Sequence, residues 1–158
     1  MDIFTVSLFG HRRILRPFAV ESALEKIVHD LLREHEFVEF LLGRDGEFDL
    51  LAASVIRRCR ERFGSENSAM ILVLPYMTAE YRDNDQAFLA YYDEVQVCEA
   101  SAGAHYRAAH GLRNRWMVDR SEMVIACVQR QSGGAYRAMR YAQETEKRII
   151  SVAEKEWA

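Results

Sequence analysis

The sequence has no uninterrupted apolar run long enough to cross a bilayer. Its longest, Ala69 to Pro75 and Met123 to Val128, have the length of buried strands. Cysteine is scarce. Cys59, Cys98 and Cys127 are odd in number, widely spaced and set in apolar surroundings with no CxxC, which excludes a disulfide scaffold and predicts buried thiols of a reducing compartment. The apolar stretch Ile3 to Phe9 has no basic segment ahead of it and His11-Arg12-Arg13 behind it, the reverse of a secretory signal, so the expected location is the cytoplasm. Only two prolines and eight glycines are present, too few for a collagen-like or low-complexity chain. There is no Gly-Lys-Ser/Thr and no GxGxxG, which sets aside a P-loop NTPase and an ordinary dinucleotide dehydrogenase. There is no HExxH or Cys/His cluster either. His105 and His110, five apart on a predicted helix, point in different directions, so neither a metal nor any other cofactor is expected.

What is present is an ordinary globular composition, 49% hydrophobic and 28% charged over 158 residues, the length of one domain. Residues 1–158 are therefore read as a single domain. Of 21 basic residues only Lys26, Lys147 and Lys155 are lysines; arginine suits phosphate and carboxylate, but genomic base composition produces the same skew. The formal charge of -3 supplies no global field toward nucleic acid or an acidic membrane, and a local basic patch stays open.

Strand and helix patterns alternate. Strands are predicted at Ile3 to Phe9, Phe37 to Leu42, Met70 to Leu74, Glu94 to Cys98, Met123 to Val128 and Arg148 to Val152. Helices are predicted from Pro17 to His35, Glu47 to Arg62, Asn84 to Tyr92, His105 to Val118 and Gly134 to Glu146. In the second of these, Arg57, Arg58, Arg60 and Arg62 face away from the apolar stripe. Single helices between strands imply an α/β fold: one Rossmann-like domain with a mainly parallel sheet of five to six strands and helices on both faces.

Ligands of such sheets bind beyond the carboxyl ends of the strands. The loops there carry Gly10-His11-Arg12, then Gly43 to Asp49 with Gly46, then Pro75-Tyr76, then Ser132-Gly133-Gly134. A Gly-Gly pair opening a helix is the best phosphate candidate, with the Ser132 hydroxyl as an extra donor, although glycine at such turns serves backbone geometry equally well. Tyr76, Tyr81, Tyr91 and Tyr92 can stack on a base or pack a surface excursion, and Asp49 has the position of a dipole-favoured carboxylate in a first helical turn.

These loops, in this order, resemble the SLOG superfamily, the Rossmann-like group that includes DprA/Smf and the LOG phosphoribohydrolases, and within it the YpsA-like branch. The resemblance spans nearly the whole chain. It is carried by Gly10-His11-Arg12, by Gly43, Gly46 and Phe48-Asp49, by Pro75-Tyr76, by Arg113-Asn114-Arg115-Trp116-Met117-Val118-Asp119, and by the loop at Gly133-Gly134. It implies a nucleotide-type ligand at the carboxyl edge of the sheet, held by glycine-loop amides, His11, Arg12, Arg113 and Asn114. LOG enzymes cleave the N-glycosidic bond of nucleoside 5′-monophosphates. Here Ala135 replaces their threonine, and Ala138 stands where their glutamate falls, so binding or sensing is the leading expectation and hydrolysis the alternative. A hydrolase would need Asp49, Glu47 or Asp119 as a substitute acid, with Arg113 as the other candidate catalytic group. Arg113 also has a structural alternative, a salt bridge to Asp119. A DprA-like single-strand binder ranks last, because the charge of -3 and the lack of clustered lysine weigh against nucleic acid as a partner. The related enzymes are commonly dimers, which makes a homodimer the expectation by analogy.

Overall fold

A computed structural model describes residues 2–153. Its core is one six-stranded sheet in which all five neighbouring pairs are parallel, in the order β4-β3-β2-β1-β5-β6. The strands are β1 Ile3–Gly10, β2 Phe37–Leu42, β3 Ser68–Leu74, β4 Glu94–Val97, β5 Met123–Cys127 and β6 Arg148–Ser151. The fold is thus α/β and Rossmann-like, with the chain stepping outward from β1 to β4 and then returning to the other side of β1 for β5.

Period-two alternation within each strand sorts side chains to two faces. Val6 and Leu8 of β1 join one core with α1 (Pro17–Glu34) and α2 (Glu47–Phe63); Phe9 joins the other with α6 (Tyr106–Arg120) and α7 (Gly133–Glu144). Helix α1 starts at Pro17, whose fixed φ suits a first turn, and buries Val20, Leu24, Val28, Leu31 and Leu32. The α6/α7 face is knitted to β1 by buried hydroxyls: Ser7 Oγ donates to the Met117 carbonyl (3.1 Å) and lies 2.7 Å from Ser121 Oγ.

Two short helices were not expected. They are α3 (Ala79–Asp83), capped by the Thr78 hydroxyl, and α5 (Glu99–Ala102); the expected helix at Asn84 to Tyr92 is α4 (Asp85–Tyr91). Helices of four or five residues carry too little periodicity to register in a sequence. The expectation that the α2 arginines all face away also needs correction. Arg60 is largely buried and pairs with Asp93 (2.6 Å), which in turn accepts the Met70 amide, fastening α2 to the start of β3. Cys59, Cys98 and Cys127 are buried and unpaired. Burial pushes the Cys127 thiol up to about 12 and also raises Cys59, whose second influence is Glu25. No described helix is long and apolar enough to cross a membrane, and the described residues hold no group of three metal-ligating side chains.

Candidate functional site

The strand order reverses between β1 and β5, and a cavity of about 590 Å³ opens beyond the carboxyl ends of the strands at that point. Its lining includes Gly10, His11, Arg12, Gly43, Asp49, Tyr76, Arg113, Asn114, Gly133 and Gly134, so ten of the residues singled out in the sequence converge there. Gly46 and Ser132 are not among the lining residues. Gly46 lies where a Cβ would overlap the Arg12 backbone, so its role is to let two loops pass. Ser132 is exposed and its side chain makes no capping bond to α7. Tyr81, Tyr91 and Tyr92 pack with Phe88 over α2, the surface-excursion alternative.

The cavity has two walls of different character. On the β2 side, Asp45 accepts from Arg113 Nη2 (2.6 Å) and lies 3.5 Å from His110 Nε2. Arg113 is 3% exposed and also donates Nη1 to the Val73 carbonyl and Nε to Asn114 Oδ1. Its partner is therefore Asp45, and Asp119 instead accepts from the Tyr141 hydroxyl. Burial would raise the Asp45 carboxyl, but the His110 hydrogen bond and the Arg113 charge outweigh it and hold that carboxyl well below the usual range. Asp49 accepts the Asp45 amide (2.9 Å), yet its burial and the neighbouring Asp45 charge push it up to about 7. Glu47 is spent on the Ile14 amide (3.0 Å). The glycines of this wall are packing glycines. A Cβ on Gly10 would overlap the Phe48 ring, and one on Gly43 would sit 2.9 Å from Arg113 Nη1.

The β5 side is built differently. His11 is 3% exposed and its Nε2 accepts the Gln129 amide (3.0 Å), so when neutral it carries its proton on Nδ1. Burial, then the charge of Arg130, lowers its pKa and favours that neutral form. Nδ1 makes no hydrogen bond among the described residues and points toward Gly133, 4.0 Å from where a Cβ would be. Gly133 has φ +92°, a conformation that glycine adopts freely. Beyond Asn114 Nδ2 at 4.0 Å, a Cβ on Gly134 would meet open space. No described hydrogen bond uses the amides of Gly133, Gly134 or Ala135, the first three of α7, where the helix dipole favours an anion. Arg12, Arg107, Arg130 and Arg137 complete a basic rim with Tyr76 and Tyr106.

Sequence reasoning missed Asp45, Tyr106, Arg107, His110, Arg130 and Arg137. Tyr106, Arg107 and His110 enter because the first half of α6 folds over the sheet edge, whereas Asp45 lies in the loop after β2 and Arg130 and Arg137 lie just before and on α7. Ala135 and Ala138 are buried, which leaves Asp45 and Asp49 as the carboxylates of the cavity lining.

The fold and the site's place in it define the class: a Rossmann-like parallel sheet with its cleft at the switch point. In a comparison with solved structures, the chain is similar to DNA processing protein A from Helicobacter pylori, described for a single-stranded DNA binding mode, with a TM-score of 0.64 and 15% identity. The match covers 94% of this chain and 64% of that protein, so the chain spans less than two thirds of its length. No protein-family model and no curated protein matches the sequence. The likeness corrects one expectation. Net charge had weighed against nucleic acid, yet a protein described as binding single-stranded DNA has this fold, so a total charge of -3 is no ground for excluding that partner. Charge summed over a molecule says little about a cleft lined with arginine.

Proposed function

We propose that the cavity binds a nucleotide through its phosphate, in a SLOG-like, YpsA-like domain working in the reducing cytoplasm. The observation that carries this is a set of unspent donors on one wall: His11 Nδ1 and the amides of Gly133, Gly134 and Ala135. Helix-N-terminal amides and an imidazole N–H that open together onto a basic cavity are complementary to an anion. Tyr76 and Tyr106 offer aromatic faces for a base. Titration calorimetry tests this directly. A nucleoside 5′-monophosphate should bind and its nucleoside should bind far more weakly, and Gly134→Val, which fills open space, should abolish binding while the protein stays folded. Equal binding of nucleotide and nucleoside would refute it.

A second reading takes the bound nucleotide as one unit of a single strand. The protein of the matched structure is described as binding single-stranded DNA, and the arginine rim is the electrostatic surface a strand requires.

A further inference from the structure

A second concavity of about 360 Å³ runs from the cavity down between α6 and α7, and the two share Arg107, His110, Asn114, Gly134 and Arg137. Its own walls add Arg115, Arg140 and Tyr141. Small residues, Ala108, Gly111, Gly134 and Ala138, let the channel form, with nothing within 4 Å of a Cβ placed on Gly111. Four arginines line it against one acid, Glu144.

The state of those arginines is the second observation. Arg33, Arg44, Arg58, Arg60, Arg62, Arg82 and Arg113 all have carboxylate partners. Arg107, Arg115, Arg137 and Arg140 are exposed and have none among the described residues. Arg115 instead lies over the Tyr141 ring (5.4 Å), whose hydroxyl is fixed by Asp119. Four arginines without carboxylate partners, in a chain that is negative overall, thus line one channel leading out of the cavity.

We propose that the α6–α7 groove is a backbone track for single-stranded nucleic acid, receiving the phosphates that follow a nucleotide seated in the cavity. The inference rests on the nucleotide reading of the cavity. Spaced guanidinium groups along a channel suit a repeating anion better than a single one, and the Arg115–Tyr141 pair is a flat surface on which a base can stack. From Gly134 to Glu144 the groove follows α7 for about 15 Å. At 3.4 Å or more per phosphate that is room for at most about four.

The test is a length series of oligodeoxythymidylates, from dTMP to a 12-mer, measured by fluorescence anisotropy competition at several salt concentrations, with polyglutamate as a non-nucleic polyanion. Affinity should climb at least tenfold from monomer to about five nucleotides and then level off. Arg115→Ala/Arg140→Ala alters residues of the groove alone. It should cut pentamer affinity about 10- to 30-fold at 0.1 M salt, flatten the salt slope by about 1.4, the value for two lost phosphate contacts, and leave dTMP binding unchanged. Equal affinity for monomer and pentamer, a double variant that keeps the length dependence, or polyglutamate binding as tightly as the pentamer would each overturn the groove and leave the cavity reading standing. Pentamer binding that depends on Arg115 and Arg140, without dTMP binding, would keep the groove and remove the cavity reading; no binding of either would remove both.

Discussion

The two walls of the cavity draw on similar residue types, glycine, a basic side chain and histidine, and use them in opposite ways. On the β2 wall every strong group is answered inside the protein: Arg113 by Asp45, Val73 and Asn114, Glu47 by Ile14, and Gly10 by the Phe48 ring it must admit. On the β5 wall His11 spends one nitrogen on Gln129 and leaves the other open, beside two glycines that face space and three unused amides. A residue type at a sheet edge therefore does not declare its role. What separates scaffold from site is whether its hydrogen-bonding capacity is already consumed.

Substitutions on the two walls should behave differently. The largest effect belongs to Gly10→Ala, which forces a Cβ into Phe48 and should cost about 3 kcal/mol or more in chemical denaturation, against less than about 0.5 kcal/mol for Gly134→Ala. Comparable losses at both would erase the distinction. Arg113→Ala should come next, at about 2–3 kcal/mol, because it strands the half-buried Asp45 carboxylate. The sequence reading assigned Arg113 to phosphate. Weaker nucleotide binding with unchanged stability would restore that role.

Asp49 offers a pH-dependent test. Its folded pKa, about 7, lies above the ordinary aspartate value of 3.8, so the folded state holds a proton that the unfolded chain has released. That contribution is fully present below pH 4 and is lost as pH rises through about 7. Asp49→Asn, which keeps an acceptor for the Asp45 amide, should therefore gain on the wild type by about 2 kcal/mol between pH 5 and pH 8, read as several degrees in Tm. A constant difference would mean Asp49 ionises normally. The smallest effect expected is thiol labelling: Cys59 and Cys127, buried and with raised pKa, should react with a thiol reagent only on unfolding.

Much of this is legible in the sequence. The strands and long helices fall within a residue or two of their sequence-predicted limits, because β2 and β5 are dense in apolar residues and Pro17 and Gly64 punctuate helix ends. The convergence of Gly10, Gly43, Gly133 and Gly134 followed from parallel topology alone. The partnership of Arg113 did not, since Asp45 lies 68 positions away and Asp119 is closer in sequence on the same helix. Nor did the basic groove. Arg107, Arg115, Arg137 and Arg140 are scattered over two helices, and the charges that conceal them in the total sit elsewhere on the molecule.

The central claim, that the β5 wall receives the ligand and the β2 wall supports it, is tested most directly by backbone and imidazole NMR during titration with a nucleoside 5′-monophosphate. The account predicts that the amides of Gly133, Gly134 and Ala135 and the protonated Nδ1 of His11 shift most, while the amides of Asp45 and Asp49 move little. Shifts centred on residues 43–49 with a silent Gly133, or a His11 found protonated on Nε2, would contradict it.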